Sequence, residues 1–364
     1  MYLRGMTTPG LVLEMCRDQP LTRTRVIDDE LAAPRDGEVL LAVERFGLSS
    51  NNISYAVLGD MLGHWRPFPA AEGWGRVPAW GVGRVLAADP AVARVGARLA
   101  GYLPMATHVL MQAESTDAGL RDTSLERAGM LPLYRELRAV DDDPIWREEA
   151  VDLELAMMPV EPLAALLDED LRRLAVTHVV VSSASSKTAM GLGHLLRERG
   201  VRVTGLSSPR GASAVAGAES SDTVLTYDDI DSLGRTGVIA YVDIAGDPEV
   251  TRSVHEHLGS SLSHSFGVGG SHLVAIDDPF RPDPTRPGPP VERYSVGQRQ
   301  VELSEELGRE VLVGLRRRAR RTLVGWAATH FDVDVVAGLE AARELWQQVA
   351  QGERDPRTVV SVIP

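Results

Sequence analysis

Residues 177–200 read THVVVSSASSKTAMGLGHLLRERG, and this stretch decides the fold. Its opening run, residues 177–182, is short, apolar and rich in β-branched valine, which is typical of a buried strand. Residues 184–199 carry apolar side chains at the spacing of an amphipathic helix, and Gly200 is suited to end that helix. The stretch therefore predicts a strand, a turn and a helix.

The same alternation continues after Gly200. Three more apolar runs, Val201 to Leu206, Asp222 to Tyr227 and Gly237 to Ile244, are separated by segments long enough for a helix. Strands that alternate with helices pair in parallel through right-handed crossovers. We therefore expect an α/β domain with a doubly wound parallel sheet over residues 151–290.

The chain before this region has a different pattern. Glu38 to Val43, Gly81 to Ala88 and Ala97 to Tyr102 are short β-branched runs between turn residues. This spacing predicts a mostly antiparallel β domain over residues 1–150. At the other end, Val335 to Val349 has helical periodicity and Thr358 to Ile363 reads as a strand.

Composition limits the classes of protein to consider. The 364 residues have a formal net charge of −13, which opposes general nucleic-acid binding. The longest apolar runs are far shorter than the roughly 18 residues that a membrane span needs, and no secretory signal is visible. Cys16 is the single cysteine, so neither an internal disulfide nor a cysteine-rich zinc site can form. We expect a cytoplasmic protein that acts on a small molecule.

The first strand-to-helix turn, residues 182–189 (SSASSKTA), is a candidate phosphate site. A pyrophosphate binds at such a helix N-terminus in parallel α/β sheets. The turn lacks the glycine fingerprint of dinucleotide sites, but its hydroxyl and ammonium groups can donate to phosphate oxygens. The alternative is a serine-rich helix cap with no ligand. The candidate cofactor-binding residues here are Ser183, Ser185, Ser186, Lys187 and Thr188.

The end of the second strand bears on cofactor choice. NAD sites place an acidic residue there to accept from the ribose 2′-hydroxyl, whereas NADP sites carry groups that receive a 2′-phosphate. This chain has Ser207, Ser208 and Arg210 at that place and no carboxylate. Arg210 can bind a phosphate with two hydrogen bonds, so NADPH is preferred over NADH. A plain polar turn with a surface arginine is the alternative.

Segments along the whole chain resemble the zinc-free quinone-oxidoreductase branch of the medium-chain dehydrogenase/reductase superfamily. The similarity is to an uncharacterised subfamily with a Ser-Ser-Lys-Thr cofactor turn. It implies a GroES-like domain, a Rossmann-type domain, a return to the first domain over residues 291–364, and a homodimer. It also implies that Tyr227 lies at the cofactor. The segments are GEVLLAVERFGLSSNNI (37–53), VGARLAGYLPM (95–105), the turn region 177–191, GAESSDTVLTYDD (217–229) and VDIAG (242–246).

The resemblance also implies that no metal takes part. Zinc-dependent relatives carry a cysteine in the substrate loop and a Gly-His-Glu run after the next strand. This chain has Ser49 to Asn52 in the loop and Pro78 to Gly81 (PAWG) at the later position. Hydride transfer would then proceed without a Lewis acid.

A reductase without metal needs a proton donor for the reduced carbonyl or enone. Zinc-free relatives place a polar or tyrosyl group in the substrate loop, and here Tyr55 is the leading donor with Asn52 orienting it. His272 follows a predicted strand and is a further candidate. Each has a structural alternative: a packed aromatic for Tyr55, a turn former for Asn52 and a loop residue bonded to backbone for His272.

A run of aromatic residues lies in the same part of the chain. Trp65, Phe68, Trp74 and Trp80 either line an apolar substrate cleft or pack in the core. The sequence leaves both interpretations open.

Two hypotheses for function follow. The first is NADPH-dependent hydride transfer to a quinone, enone or enoyl-type acceptor. The second is a non-catalytic or non-redox protein of the same fold that has lost dinucleotide binding. Fold alone does not decide between them.

Overall fold

The structure, a computed structural model, describes residues 7–268 and 285–364. The chain divides into two compact units. The first unit is built from Met1–Ala156, Asp332–Arg354 and Thr358–Pro364, and the second from Met157–Phe331 and Asp355–Arg357.

Strands dominate the N-terminal part of the chain. They are β1 (Leu11–Cys16), β2 (Thr24–Asp28), β3 (Glu38–Leu48), β4 (Trp74–Gly75), β5 (Pro78–Ala88), β6 (Arg98–Pro104), β7 (His108–Thr116), β8 (Gly119–Asp122) and β9 (Glu136–Ala139). The helices of this part are α1 (Ser50–Val57), α2 (Gly59–Leu62) and α3 (Val151–Met157).

Helices and strands then alternate. In chain order they are α4 (Glu161–Arg173), β10 (His178–Val181), α5 (Lys187–Glu198), β11 (Arg202–Ser207), α6 (Pro209–Gly217), β12 (Thr223–Thr226), β13 (Ile239–Asp243), α7 (Pro248–Leu258), β14 (Leu262–Gly267), β15 (Glu292–Arg293), α8 (Val296–Leu307) and α9 (Arg309–His330). The C-terminal elements are β16 (Asp332–Ala337), α10 (Leu339–Ala350) and β17 (Thr358–Ile363).

The first unit contains a closed ring of strands in the order β3, β5, β6, β9, β8 and β7, because β3 also pairs with β7. The neighbours in this ring are antiparallel, as the sequence predicts. Two register shifts in the β3–β5 pairing bend β3, which suits a closed barrel. The far end of β3 pairs with β17, so the C-terminal strand completes this unit.

The second unit is a parallel sheet in the order β12, β11, β10, β13, β14, β15. The chain runs outward from β10 to β12 and then crosses back to β13, so the order reverses between β10 and β13. Both of these central strands are buried along their whole length, which explains their continuous apolar sequence. The predicted doubly wound α/β architecture is confirmed, and ligands of such sheets bind at this reversal point.

Two sequence expectations about the C-terminal part are wrong. The return to the first unit begins at Asp332 and not at residue 291. Leu303 of α8 and Leu312 of α9 form an apolar cluster with Leu166 of α4, which keeps residues 291–331 in the second unit. The helix expected from Val335 also starts later, because β16 pairs in parallel with β17 up to Ala337 and α10 begins only after Gly338.

Trp65 is a core residue of the first unit. It is buried, and its indole ring lies against the backbones of Gly59 and Gly75. A β-carbon at either glycine would overlap ring atoms of Trp65. The aromatic run therefore supplies core packing at this position.

We expect Gly75→Ala to destabilise the protein by about 1–3 kcal/mol, because the added methyl group overpacks the Trp65 site. Denaturant unfolding would measure the change. Gly129→Ala is the matched control, since a β-carbon there meets no atom within 4 Å. Equal stability of the two variants would contradict the packing of Trp65 between the glycines.

Candidate functional site

The side chain of Ser182 links the carboxyl ends of β10 and β13 at the centre of the parallel sheet. The Ser182 hydroxyl donates to Asp243 Oδ1 at 2.7 Å and accepts from the backbone N–H groups of Ile244 and Ala245 at 2.9 and 3.0 Å. Asp243 Oδ2 accepts from the Thr251 hydroxyl at 2.9 Å. Burial raises the pKa of Asp243, and these hydrogen bonds oppose the rise.

The turn after β10 holds its shape without glycine. Ser183 has a φ of 49°, in the left-handed region that glycine usually occupies. Its backbone N–H donates to the Tyr227 hydroxyl at 3.0 Å. Ser186 is the N-cap of α5 and accepts from the Ala189 N–H at 3.2 Å. The structure thus brings Tyr227 and Ser183, two predicted cofactor residues, into contact.

Lys187 has a protein partner. Its ammonium group donates to the carbonyl oxygen of Pro356 at 2.9 Å and lies 5.9 Å from the centre of the Phe331 ring. Burial lowers the pKa of Lys187 to about 8, and Asp355 opposes the shift. Contact of Lys187 with a phosphate stays a prediction, as does the role of Thr188, which is half-buried in the first turn of α5.

The end of β11 packs against the first turn of α6. The Ser207 side chain is buried, and within the described residues its hydroxyl has no hydrogen-bond partner. A β-carbon at Gly211 would overlap Ser207 Oγ and lie 2.7 Å from Ser185 Oγ. The two hydroxyls therefore pack directly against the backbone of Gly211, and only a glycine at 211 allows this close approach.

The N-terminus of α6 lies beside these hydroxyls. Ser208 is its N-cap and accepts from the Gly211 N–H at 3.2 Å, while Arg210 is exposed in the first turn. No acidic side chain stands between Ser207 and Gly211 in the sequence. The end of β11 and the first turn of α6 together have the composition of an anion site: hydroxyls, a helix N-terminus and a guanidinium group.

A second candidate cluster lies in the first unit, around the Tyr55 hydroxyl on α1. Its oxygen accepts from Asn51 Nδ2 at 2.7 Å and from Trp80 Nε1 at 3.2 Å. Burial raises the pKa of Tyr55 well above that of a free phenol, with Tyr134 adding to the rise. Tyr55 is therefore a protonated phenol at neutral pH.

Aromatic rings surround this phenol. His64 lies 4.3 Å from Tyr55 between ring centroids, and its Nδ1 is 2.8 Å from the hydroxyl of Tyr102. Burial lowers the pKa of His64 to about 4, so its imidazole is neutral at pH 7. Tyr134 contacts Tyr55, His64 and Tyr102 through ring edges or tilted faces.

A buried arginine supports the cluster. The guanidinium group of Arg127 donates to the carbonyl oxygens of Tyr134 and Tyr102 at 3.0 and 3.1 Å, and pairs with Asp122 at 3.1 Å. It also lies 4.5 Å from the centre of the Phe68 ring. Phe68 therefore packs in this cluster, and the backbone of both tyrosines is held by one charged group.

The other predicted catalytic residues are placed differently. Asn52 Oδ1 accepts from the Ser49 N–H at 2.8 Å, and its Nδ2 donates to the Pro78 carbonyl at 2.9 Å, so this side chain caps α1. The contact with the Tyr55 hydroxyl that we expected from Asn52 is made by Asn51. His272 lies outside the described residues.

Metal-binding clusters and membrane-spanning helices are both absent from residues 7–268 and 285–364. No group of three or more histidine, cysteine, aspartate or glutamate side chains there is arranged to hold a metal ion. None of the helices in those ranges is both long and apolar enough to cross a membrane.

Comparison with protein families matches residues 46–355 to proteins of unknown function grouped as DUF2855. The chain belongs to the DUF2855 family. Comparison with curated proteins gives no match.

Solved structures share the fold of this DUF2855 chain. Three of them are each only 12–14% identical to it, so the likeness establishes the fold alone, with a GroES-like and a Rossmann-type domain. The first is a provisionally assigned NADPH:quinone reductase from Bacillus thuringiensis, with a TM-score of 0.63 and 12% identity, and the match covers 98% of this chain and 99% of that chain. The second is CurA from Vibrio vulnificus in complex with NADPH, with a TM-score of 0.60, 14% identity and coverage of 98% and 99%. The third is the yhdH oxidoreductase from Salmonella enterica in complex with NADP, with a TM-score of 0.58, 14% identity and coverage of 97% and 99%.

Sequence reasoning missed most partners of Tyr55 in the DUF2855 chain. His64, Trp80 and Tyr134 lie outside the helix that carries Tyr55, so no helical spacing connects them to it. Asn51 alone had a usable signal, because residues four apart share a helix face.

The contribution of the Ser182 hydrogen bonds to the stability of the parallel sheet can be tested by substitution. Ser182→Ala should destabilise the protein by about 1–3 kcal/mol, because it leaves a buried carboxylate and two N–H groups short of a partner. Chemical denaturation would measure the change. Ser253→Ala, an exposed hydroxyl on α7 that donates to the Glu249 carbonyl at 2.9 Å, is the control and should cost under about 0.5 kcal/mol.

The loss should also depend on pH. The Ser182 hydroxyl bonds the ionised form of Asp243, so its removal raises the pKa of Asp243 further. The stability difference between Ser182→Ala and the parent should therefore be largest at neutral pH and shrink as acid protonates Asp243. A difference that grows in acid would contradict this arrangement.

Proposed function

We propose that this protein is a zinc-independent, NADPH-dependent reductase that transfers hydride to a small quinone, enone or enoyl-type acceptor. The observation that carries the proposal is the polar group at the end of β11. Ser207 offers a buried hydroxyl without a partner in the described residues, and it packs against Gly211 in the first turn of α6. A buried unpaired donor is costly, and a 2′-phosphate would satisfy it.

The polar group at the end of β11 suits NADPH better than NADH. Ser185, Ser207, Ser208 and Arg210 would hold the 2′-phosphate, and an acidic residue that would repel it is absent from this stretch of sequence. When bound, NADPH supplies the hydride. The bound NADPH of Vibrio CurA and the bound NADP of the Salmonella oxidoreductase support this choice of cofactor.

The reduced acceptor also needs a proton. Tyr55 is buried, protonated and held by two N–H donors, which would stabilise the phenolate that remains after proton transfer. The quinone-reductase assignment of the Bacillus protein supports an electron-poor carbonyl or enone as acceptor.

Two contacts favour the second candidate, a protein of this fold that no longer binds a dinucleotide. The Ser183 N–H is taken by Tyr227, and the Lys187 ammonium group by the Pro356 carbonyl. Both groups belong to the turn that the sequence assigns to the pyrophosphate. Titration with NADPH, followed by nicotinamide fluorescence, separates the candidates: saturable binding supports the reductase, and no binding at millimolar cofactor supports the alternative.

Arg210→Ala should weaken NADPH binding by about 1.5–3 kcal/mol and leave NADH binding nearly unchanged, because the lost bonds are charge-assisted and specific to the 2′-phosphate. Calorimetric titration with both cofactors would measure this. Arg252→Ala is the matched control, since Arg252 is an exposed arginine paired with Glu249 at 3.0 Å on another helix of the same unit. An equal loss for both cofactors would refute the assignment of Arg210.

Tyr55→Phe should lower turnover on an accepted substrate by about 10²- to 10⁴-fold, the usual range for a general acid, while NADPH affinity stays within a few-fold. Steady-state kinetics with a quinone and an enone series would measure it. Should the variant lose thermal stability and keep its turnover, Tyr55 is a packing residue.

A further inference from the structure

A cleft of about 470 Å³ lies in the second unit, at the opposite end of the parallel sheet from the serine-rich turn. It borders the start of β11, whereas the turn follows the end of β10, and these two strands are parallel. Ligand pockets usually have volumes of about 300–1,000 Å³, so the cleft has the size of a small-molecule site. A ligand bound here would lie away from the proposed cofactor site.

Two helices end at this cleft. Glu198 is the last residue of α5, and Trp326 and His330 lie in the last turn of α9. The C-terminal end of a helix carries a partial negative charge, because its last carbonyl groups have no partner within the helix. Both helix ends therefore favour a cation in the cleft.

Aromatic rings form one wall of the cleft. The indole ring of Trp326 is fixed by a hydrogen bond from its Nε1 to the Ala218 carbonyl oxygen at 2.8 Å. The imidazole of His194 stacks on this indole, with ring centroids 5.0 Å apart and planes 12° apart. The ring centroids of Trp326 and His330 are 5.8 Å apart. Such a wall can pack against the apolar body of a small ligand.

The α5 side of the cleft offers hydrogen-bond acceptors that no protein group uses. Within residues 7–268 and 285–364, the Glu198 carboxylate has no ion pair or hydrogen bond, and neither ring nitrogen of His194 is hydrogen-bonded. Burial lowers the pKa of His194, so its imidazole is neutral at pH 7 and one of its nitrogens is an acceptor. These two side chains lie four residues apart on the same helix face.

The α9 side of the cleft offers two more acceptors. His330 Nδ1 lies 2.9 Å from the carbonyl oxygen of Trp326, and we assign the ring proton to Nδ1 because a carbonyl can only accept. In the neutral ring Nε2 then carries a lone pair, and it lies 3.9 Å from Glu219 Oε2. A primary ammonium group has three N–H donors and can bridge these two atoms.

The guanidinium groups of the cleft are already bonded to protein. Arg197 donates to Asp222 Oδ1 at 2.9 Å and to the backbone carbonyl oxygen of Glu219. Arg202 donates to the carbonyl oxygen of Thr236 at 2.9 Å. Three carboxylates line the cleft against two guanidinium groups, which leaves an excess of negative charge. The cleft therefore suits a cationic hydrogen-bond donor better than an anion.

We propose that this cleft binds a small organic amine. The primary ammonium group bridges Glu219 Oε2 and His330 Nε2. The apolar body of the amine packs against the rings of Trp326 and His194, and the Glu198 carboxylate supplies a second negative charge. The site lies apart from the proposed cofactor site, so it does not depend on the reductase function.

Calorimetric titration of the full chain with 2-phenylethylamine, tyramine and putrescine tests the proposal. At least one amine should bind saturably, and 2-phenylethanol, the neutral analogue of the first, should not bind. Glu219→Gln and Glu198→Gln should each raise the Kd of the amine by about 3- to 10-fold, because each removes one partly exposed, charge-assisted contact. The proposal is overturned if no amine binds at millimolar concentration or if the alcohol binds equally well.

Glu256→Gln is the matched control. Glu256 is an exposed glutamate on α7 of the same unit, and it has no ion pair in the part of the chain that the structure describes. The substitution therefore removes the same charge away from the cleft and should leave the Kd nearly unchanged. An equal loss in Glu256→Gln and Glu219→Gln would mean that the amine is attracted only by the acidic protein as a whole, against the proposal.

Nuclear magnetic resonance locates the bound amine without any turnover. The amine should shift the imidazole signals of His194 and His330, assigned with His194→Gln and His330→Gln, and leave the signal of His257 in place. Saturating NADPH should not displace the amine, because the serine-rich turn lies at the other end of the sheet. An amine that NADPH displaces, or that shifts neither imidazole, binds elsewhere and overturns the proposal. If NADPH does not bind and the two imidazoles still shift, the reductase function fails while the amine site stands.

Discussion

The hydroxyl group of Ser182 uses its full hydrogen-bonding capacity at the point where the strand order of the parallel sheet reverses. Its proton goes to Asp243, and its two lone pairs accept from Ile244 and Ala245. Since β10 ends just before Ser182 and β13 ends at Asp243, this hydroxyl ties the carboxyl ends of the two central strands together. The serine-rich turn and the N-terminus of α5 begin from that fixed point, so the geometry of the whole candidate cofactor site depends on it.

The turn that follows replaces glycine by side-chain hydrogen bonds. A non-glycine residue with φ near 49°, as at Ser183, costs about 1–2 kcal/mol of backbone energy. The bond from its N–H to Tyr227 and the Ser186 cap on α5 offset that cost. In the proposed cofactor site, phosphate recognition would therefore rely more on hydroxyl groups and helix N-termini than on the backbone amides of a glycine-rich loop.

The sequence predicts the second unit well because its signals are local. Its buried strands are continuous apolar runs. In the first unit, the C-terminal strand of residues 358–363 likewise lies where its pattern puts it. The point where the chain returns to the first unit has no local signal in the sequence. The helices α8 and α9 carry ordinary amphipathic patterns. The surface that they cover depends on Leu166, which lies more than a hundred residues earlier. The local periodicity favours a helix for residues that in fact form part of β16. The partner strand β17 is parallel to β16 and lies beyond an intervening helix, so a local pattern cannot show this pairing.

Competing hydrogen bonds explain why Asn51, and not Asn52, donates to the Tyr55 hydroxyl. Both asparagines can share a helix face with Tyr55, since they precede it by four and three residues. Ser49 is the N-cap of α1, and the side chain at the third position after it is drawn back to the Ser49 N–H, so Asn52 is used in capping. The cap is visible in the sequence as Ser49 and Asn52 three residues apart, and it leaves only Asn51 for the phenol. Trp80 and Tyr134 have no such local signal. Trp80 lies on β5 and Tyr134 on the turn before β9, and the pairing of the six strands of the ring brings these distant segments together.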